Sequence, residues 1–66
     1  MLKIFIWGTG QLANNLMNDC KTLGLYNILG YIENRTELQG KTFNGFKIYN
    51  PEILNEIVPD KIVVMT

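Results

Sequence analysis

A glycine-rich turn near the start of the chain has the residue types and spacing best suited to binding chemistry. It reads Gly8-Thr9-Gly10-Gln11-Leu12-Ala13 and matches the pattern G-x-G-x-x-[G/A]. Gly8 permits a tight turn, Gly10 has no Cβ to keep a pyrophosphate off the backbone, and Ala13 allows close packing of a helix on a strand. Free N–H groups and the dipole of a helix starting here would favour a phosphate. We therefore predict that all six residues contact a nucleotide cofactor.

An acid follows this turn at the distance that a dinucleotide-binding fold requires. Glu33 comes about twenty residues after Ala13, where such folds place a carboxylate that accepts hydrogen bonds from ribose hydroxyls. We expect Glu33, Asn34 and Arg35 to lie at the ribose end of the ligand. Glu33 favours NAD over NADP by charge repulsion, whereas Arg35 would pair with a 2′-phosphate or another anion, so both cofactors stay open.

Simpler interpretations of the same residues also stay open. The two glycines would make a tight strand-to-helix turn even without a ligand, and Glu33 and Arg35 would then be ordinary solvated charges. Thr9 would donate its hydroxyl to a phosphate or only shape the turn. Trp7 would line the ligand pocket or cap the core. No nucleophile–base pair, carboxylate pair or metal-ligand set accompanies the turn, so we predict neither catalytic nor metal-binding residues.

A strand and a helix are predicted on either side of the turn. The segment Leu2–Trp7 is almost continuously apolar, which is typical of a strand buried on both faces of a parallel sheet. Gln11–Leu23 has helical periodicity and ends before Gly24, a residue that favours the left-handed conformation after a helix. The apolar stripe of this helix comprises Leu12, Ala13, Leu16, Met17, Cys20 and Leu23.

The rest of the chain continues the alternation of strands and helices. In order, we predict a strand over Asn27–Glu33, an irregular loop over 34–45 with an Asn44-Gly45 turn, a short strand over Phe46–Tyr49, a helix capped by Asn50 and started by Pro51, and a strand over Lys61–Thr66. That second helix would present Ile53, Leu54, Ile57 and Val58 to the core and stop at Pro59. Thr66 would end its strand beside the glycine turn and contact the ligand. The alternation favours an α/β fold with a partial Rossmann-like parallel sheet in the order 3-2-1-4.

Composition narrows the classes of partner. The six basic and six acidic residues give a net charge of zero, so no long-range attraction to nucleic acid or to an anionic membrane is expected. No apolar run approaches the roughly 20 residues that span a bilayer. Cys20 is the only cysteine and there is no histidine, which excludes a disulfide framework and a Cys/His zinc site. We expect a cytoplasmic protein whose partner is a small-molecule nucleotide.

Several passages together resemble one known family. They are Lys3–Gly10, Gly30–Asn34, Gly40-Lys41, the passage Gly45–Leu54 with the form G-x-x-[V/I]-[Y/F]-x-P-E-x-L, and Asp60–Val64. The chain resembles the small Rossmann-type domain of bacterial surface-polysaccharide and nucleotide-sugar enzymes, which occurs as an N-terminal module of sugar acetyltransferases and beside methyltransferases and dehydratases. The resemblance implies binding of NAD(P) or a nucleotide-sugar. The family usually has Asp-Asn or Asp-Asp where this chain has Glu33-Asn34.

Two functions follow as hypotheses. With 66 residues and a small core, residues 1–66 would form a single partial domain, expected to be the N-terminal part of a longer sugar-modifying enzyme whose catalytic groups lie downstream. Alternatively, the domain would be a non-catalytic binding or oligomerisation module with a vestigial phosphate-binding turn. It would then form a homo-oligomer through the unpaired edge of the last strand, where Ile62-Val63-Val64-Met65 is apolar.

Overall fold

Five strands form one sheet in the computed structural model, which describes residues 1–65. The elements in chain order are β1 (Lys3–Trp7), α1 (Gln11–Leu23), β2 (Asn27–Ile32), a 3₁₀ helix (Thr36–Leu38), β3 (Thr42–Phe43), β4 (Phe46–Tyr49), a second 3₁₀ helix (Pro51–Asn55) and β5 (Lys61–Val64). The sheet order is β3-β4-β2-β1-β5. The β1–β2, β1–β5 and β2–β4 pairs are parallel, and the β3–β4 pair is antiparallel.

The central position of β1 explains its apolar sequence. Ile4, Phe5 and Ile6 are all fully buried, because β1 has a strand on each side and packs on both faces. Successive side chains of a strand point to opposite faces. Ile4 and Ile6 belong to the core cluster that contains residues of α1, while the Phe5 ring meets Tyr49 edge-on at 5.9 Å between centroids.

Helix α1 begins and ends where the sequence predicts. Gly10 is its N-cap residue, and Gly24 ends it with φ 64° while its N–H donates to the carbonyl oxygen of Cys20 at 2.8 Å. The buried residues of α1 are Ala13, Met17 and Cys20. The predicted apolar stripe is too wide, because Leu12 and Leu23 are 59% and 65% exposed. The buried contact of the helix comprises Ala13, Met17 and Cys20, with Leu16 packed beside them, and both leucines lie outside it.

The strand order differs from the predicted 3-2-1-4 because the predicted loop contains a further strand. Asn44 and Gly45 have positive φ values of 54° and 81°, as a two-residue type I′ hairpin turn requires. Thr42–Phe43 consequently folds back as β3, antiparallel to β4, and takes the edge position predicted for the short strand. The parallel strands lie in the order β4-β2-β1-β5.

The predicted second α-helix is a short 3₁₀ helix. Its cap is as predicted, since the backbone N–H of Glu52 donates to Asn50 Oδ1 at 2.8 Å and Pro51 opens the helix. Regular structure ends at Asn55 and Val58 is 84% exposed. The carbonyl oxygen of Ile53 accepts from the N–H of Glu56 and from that of Ile57, at 2.9 Å each, so the turn mixes 3₁₀ and α-type bonds. Pro59 has no N–H with which to extend it.

Candidate functional site

The glycine-rich turn lies at the edge of the sheet where three parallel strands end together. Trp7 pairs with Ile32 of β2 and with Val64 of β5. Beyond these pairs, the N–H of Gly8 donates to the carbonyl oxygen of Ile32 at 2.9 Å, and the N–H of Met65 donates to that of Trp7 at 2.8 Å. The turn is thus held by backbone bonds to the carboxyl ends of both neighbouring strands.

The two glycines of the turn have different physical roles. Gly8 has φ 125°, and a Cβ added there would lie 2.6 Å from the carbonyl oxygen of Met65. The fold itself therefore requires glycine at this position. Gly10 has an ordinary φ of −80°, and an added Cβ would have no atom of residues 1–65 within 4 Å beyond its chain neighbours. Gly10 consequently presents its backbone to open space, the condition for close approach of a ligand.

An open cavity of about 400 Å³ lies over this turn. Its lining residues are Gly8, Thr9, Gly10, Gln11, Leu12, Glu33, Arg35 and Met65. The structure therefore brings most of the predicted site residues around one space, although they come from the β1–α1 turn and the segment after β2. Three predicted residues are not among the lining residues. Ala13 is buried on the inner face of α1, Asn34 is exposed away from the lining, and Thr66 lies outside the described residues.

Met65 is the lining residue that the sequence interpretation missed. It also packs against the hydrophobic core. Its position one residue beyond β5, at the same edge as the turn, was the available signal. Trp7, by contrast, is half-buried at the end of β1 and is not part of the cavity lining.

The first turn of α1 faces the cavity with unused donors. The first intrahelical bond runs from the N–H of Asn14 to the carbonyl oxygen of Gly10, so the N–H groups of residues 11–13 have no partner within the helix. The N-cap glycine has no side-chain oxygen to accept from them, and the segment Gln11-Leu12-Ala13 contains no acid. This end of α1 therefore favours an anion.

Glu33 is tied into a hydrogen-bonded cluster at the side of the cavity. Its Oε1 accepts from Thr9 Oγ1 at 2.9 Å and from Arg35 Nη2 at 2.9 Å, and its Oε2 accepts from the backbone N–H of Arg35 at 3.0 Å. The hydrogen bond from the Arg35 side chain is the main cause that lowers the pKa of Glu33 from 4.5 to about 2, aided by the backbone N–H and by Thr9 and opposed by burial. Glu33 is thus a carboxylate at every physiological pH.

Arg35 completes this cluster from the solvent side. Its side chain is 58% exposed, and Nη2 donates both to Glu33 and, at 3.1 Å, to Thr9 Oγ1. The side chain therefore extends from the end of β2 back to the glycine turn. Thr9 donates to the carboxylate while it accepts from the guanidinium, so the three side chains form a closed set of bonds at the rim of the cavity.

Other reactive groups lie apart from the cavity. Cys20 is buried in α1, as predicted for a core thiol, and burial is the main cause that raises its pKa, with Asp19 adding to it. Within residues 1–65 no group of three or more His, Cys, Asp or Glu side chains is arranged to hold a metal ion. None of the helices in that range has both the length and the apolar character needed to cross a membrane.

Together, the fold and the cavity define an α/β domain with a ligand-sized cleft at the carboxyl ends of its parallel strands. The chain belongs to the C2185-like, N-terminal family, whose model matches residues 1–66. Its structure is similar to that of UDP-D-quinovosamine 4-dehydrogenase from Vibrio fischeri, with a TM-score of 0.82 and 18% sequence identity. The alignment covers 96% of this chain and 55% of the dehydrogenase chain, and at this identity it shows a common fold. A comparison with curated proteins finds no match.

Proposed function

We propose that this domain is a partial Rossmann-like module that binds a nucleotide, either NAD(P) or a nucleotide-sugar. The observation that carries the proposal is the cavity of about 400 Å³ over the β1–α1 turn, into which Gly10 presents a bare backbone. Unused helix N–H groups beside it match a diphosphate, which needs several donors and close approach. Leu12 and Met65 add apolar walls, as ligand pockets usually have.

The diphosphate and the ribose would each have their own contacts in this arrangement. The diphosphate would accept from the N–H groups of Gly10, Gln11 and Leu12. Within residues 1–65, Glu33 Oε2 accepts one hydrogen bond, from the backbone N–H of Arg35, and a carboxylate oxygen has two lone pairs. Its second lone pair would accept from a ribose hydroxyl, while the remaining bonds keep the carboxylate in place.

We assign the module to sugar-nucleotide or surface-polysaccharide biosynthesis. The support is the sequence resemblance together with the likeness in fold to a dehydrogenase that acts on a UDP-sugar. Because this chain spans 55% of that enzyme chain, catalysis would require groups outside the described residues. The proposal therefore concerns binding and names no catalytic residue.

Isothermal titration of the protein with NAD, NADP, a UDP-sugar and coenzyme A tests the proposal. We expect at least one of these nucleotides to bind, and Gly10→Val to weaken that binding by about tenfold or more, because the branched side chain would occupy the space of the diphosphate. Gly10→Ala, which adds one methyl group, should weaken it less. Valine is a poorer N-cap than glycine, so a stability loss on the order of 0.5–1 kcal/mol is expected in the thermal melt.

Two outcomes would contradict nucleotide binding at this turn. One is the failure of all four compounds to bind at millimolar concentration. The other is full affinity in Gly10→Val with the fold retained by circular dichroism, since a ligand that tolerates valine there does not use the Gly10 backbone.

A second candidate function is assembly without catalysis. Strand β5 lies at the edge of the sheet, and its Ile62 and Val64 are 38% and 62% exposed. An unpaired edge with apolar side chains favours pairing with another strand. If assembly is the function, light scattering should show a dimer that Val64→Lys dissociates, with no nucleotide bound. A monomer at micromolar concentration with a cooperative melt would contradict it.

A further inference from the structure

One charged side chain of the cavity has no role in the contacts assigned above. Arg35 lines the cavity, is more than half exposed and reaches from the end of β2 to the glycine turn. The long side chain of an exposed arginine can extend into solvent. Its Nη2 is instead fixed by two acceptors from different elements, Glu33 at 2.9 Å and Thr9 at 3.1 Å.

We propose that Arg35 determines the ligand class of this cavity by pairing with the diphosphate of a nucleoside diphosphate derivative. This inference rests on the proposed function and assigns a residue to it. Ligands without a diphosphate, such as free nucleosides, would lack this contact. A guanidinium offers several planar N–H donors and keeps its charge at all physiological pH values, which suits it to phosphate oxygens.

The position of the guanidinium places it within reach of a diphosphate bound at the glycine turn. Nη2 lies within hydrogen-bond distance of Thr9, and Thr9 stands between the two glycines of the turn. An anion held by the first-turn N–H groups of α1 would therefore lie next to Arg35. Nη2 is also 2.9 Å from Glu33 Oε1, just after the end of β2, so a 2′-phosphate on the ribose is the competing contact, and the titrations with NADP separate the two.

The charges around the cavity also favour contact between Arg35 and a diphosphate. Among its lining residues, Arg35 carries the positive charge and Glu33 the negative charge. Without Arg35, the Glu33 carboxylate would stand uncompensated beside an incoming anion. The pair keeps Glu33 available for a ribose hydroxyl while the guanidinium removes its repulsion toward a diphosphate.

Titrations with pyrophosphate, ADP, UDP, NAD and NADP, and with adenosine and uridine as phosphate-free probes, test this proposal. In Arg35→Gln we expect the affinity for pyrophosphate and for the better-bound nucleotide to fall about tenfold or more. The dependence of that affinity on salt should become shallower, and any nucleoside affinity should be unchanged. Arg35→Lys keeps the charge but loses the planar set of donors, so its affinity for pyrophosphate should lie between those of the wild type and Arg35→Gln. Lys41→Gln removes one positive charge outside the cavity lining and should leave all affinities unchanged.

The double variant Glu33→Gln/Arg35→Gln guards against a folding defect, because it removes both partners of the ion pair and leaves neither charge alone. It too should lose affinity for pyrophosphate. Wild-type affinity in either folded variant would overturn the proposal while nucleotide binding stands. A selective loss of NADP, with NAD and UDP unaffected, would also overturn it and place Arg35 at the ribose. If the wild-type protein binds none of the phosphate probes, the proposed function itself fails.

Discussion

Two clusters of three hydrogen-bonded polar side chains join separate elements of this domain. The edge cluster, formed by Thr9, Glu33 and Arg35, links the glycine turn to the end of β2. The hairpin cluster, formed by Asn14, Tyr31 and Asn44, links α1, the next-to-last residue of β2 and the β3–β4 turn. In it Asn44 Nδ2 donates to Asn14 Oδ1 at 2.6 Å and to the Tyr31 hydroxyl at 3.1 Å.

The clusters differ in charge and in the space around them. The edge cluster is an ion pair that borders an open cavity, and its arginine is largely exposed. The hairpin cluster is neutral and filled: Tyr31 is fully buried against Phe43, with ring centroids 5.1 Å apart. Burial is the main cause that raises the pKa of Tyr31, which keeps it protonated. The hairpin cluster thus stabilises the fold, whereas the similarly bonded edge cluster, in our proposal, binds a ligand.

Gly8→Ala should produce the largest loss of stability, because it disrupts the glycine turn that positions Thr9 of the edge cluster. The new Cβ would meet the carbonyl oxygen of Met65 at 2.6 Å at a backbone angle that alanine rarely adopts. We expect a loss on the order of 3 kcal/mol in the free energy of unfolding, measured by urea denaturation. Gly10→Ala, in open space, should lose far less, and equal losses at the two positions would contradict the roles assigned to the glycines.

Acidification should have the second-largest effect on stability, because it protonates Glu33 and weakens the edge cluster. The folded-state pKa of Glu33, about 2, is below its ordinary value of 4.5, so the stabilisation is complete above pH 4.5 and is lost as the pH falls from 4.5 toward 2. We expect about 2 kcal/mol to be lost over this window, reduced by screening because Arg35 is exposed. Urea denaturation between pH 7 and 2.5 measures it, with Glu33→Gln as the control. Parallel curves for wild type and Glu33→Gln would show that the ion pair contributes no stability.

Asn44→Ala should have the smallest of these effects and should separate the clusters most clearly. It leaves the hydroxyl of Tyr31 without this donor and removes a residue type that tolerates the left-handed turn. We expect a loss of about 1–2 kcal/mol in stability and no change in nucleotide affinity at a temperature where the variant is folded. A large change in affinity would show that the hairpin also shapes the cavity.

The sequence predicts the elements whose signals are local and redundant. The apolar run of β1, the caps of α1 and the glycine turn each follow from several residues that agree, and all are present in the structure. The spacing of Glu33 from Ala13 predicts an acid at the ribose end of a ligand, and Glu33 and Arg35 line the same cavity as the turn. The hydrogen bonds that join Glu33, Arg35 and Thr9 depend on side-chain rotamers, which residue spacing does not specify.

The incorrect predictions concern segments whose structure depends on contacts with residues distant in the sequence. Asn44-Gly45 is a strong turn signal, but a strand of two residues, Thr42–Phe43, is too short for a periodic pattern, so β3 was missed. The apolar residues after Pro51 have helical spacing, yet the segment forms a 3₁₀ helix that ends at Asn55 and leaves Val58 exposed. The exposure of Leu12 results from its position at the cavity, where no element covers it.

Nitrogen-15 NMR during titration with a UDP-sugar and with NAD is the most direct measurement of where a nucleotide binds. We predict saturable shifts at the amides of Gly8, Gly10 and Gln11 and at the side-chain signals of Arg35, with little change at Asn44. Saturable shifts confined to residues outside the glycine turn, or no shifts at millimolar ligand, would contradict nucleotide binding at this edge of the sheet.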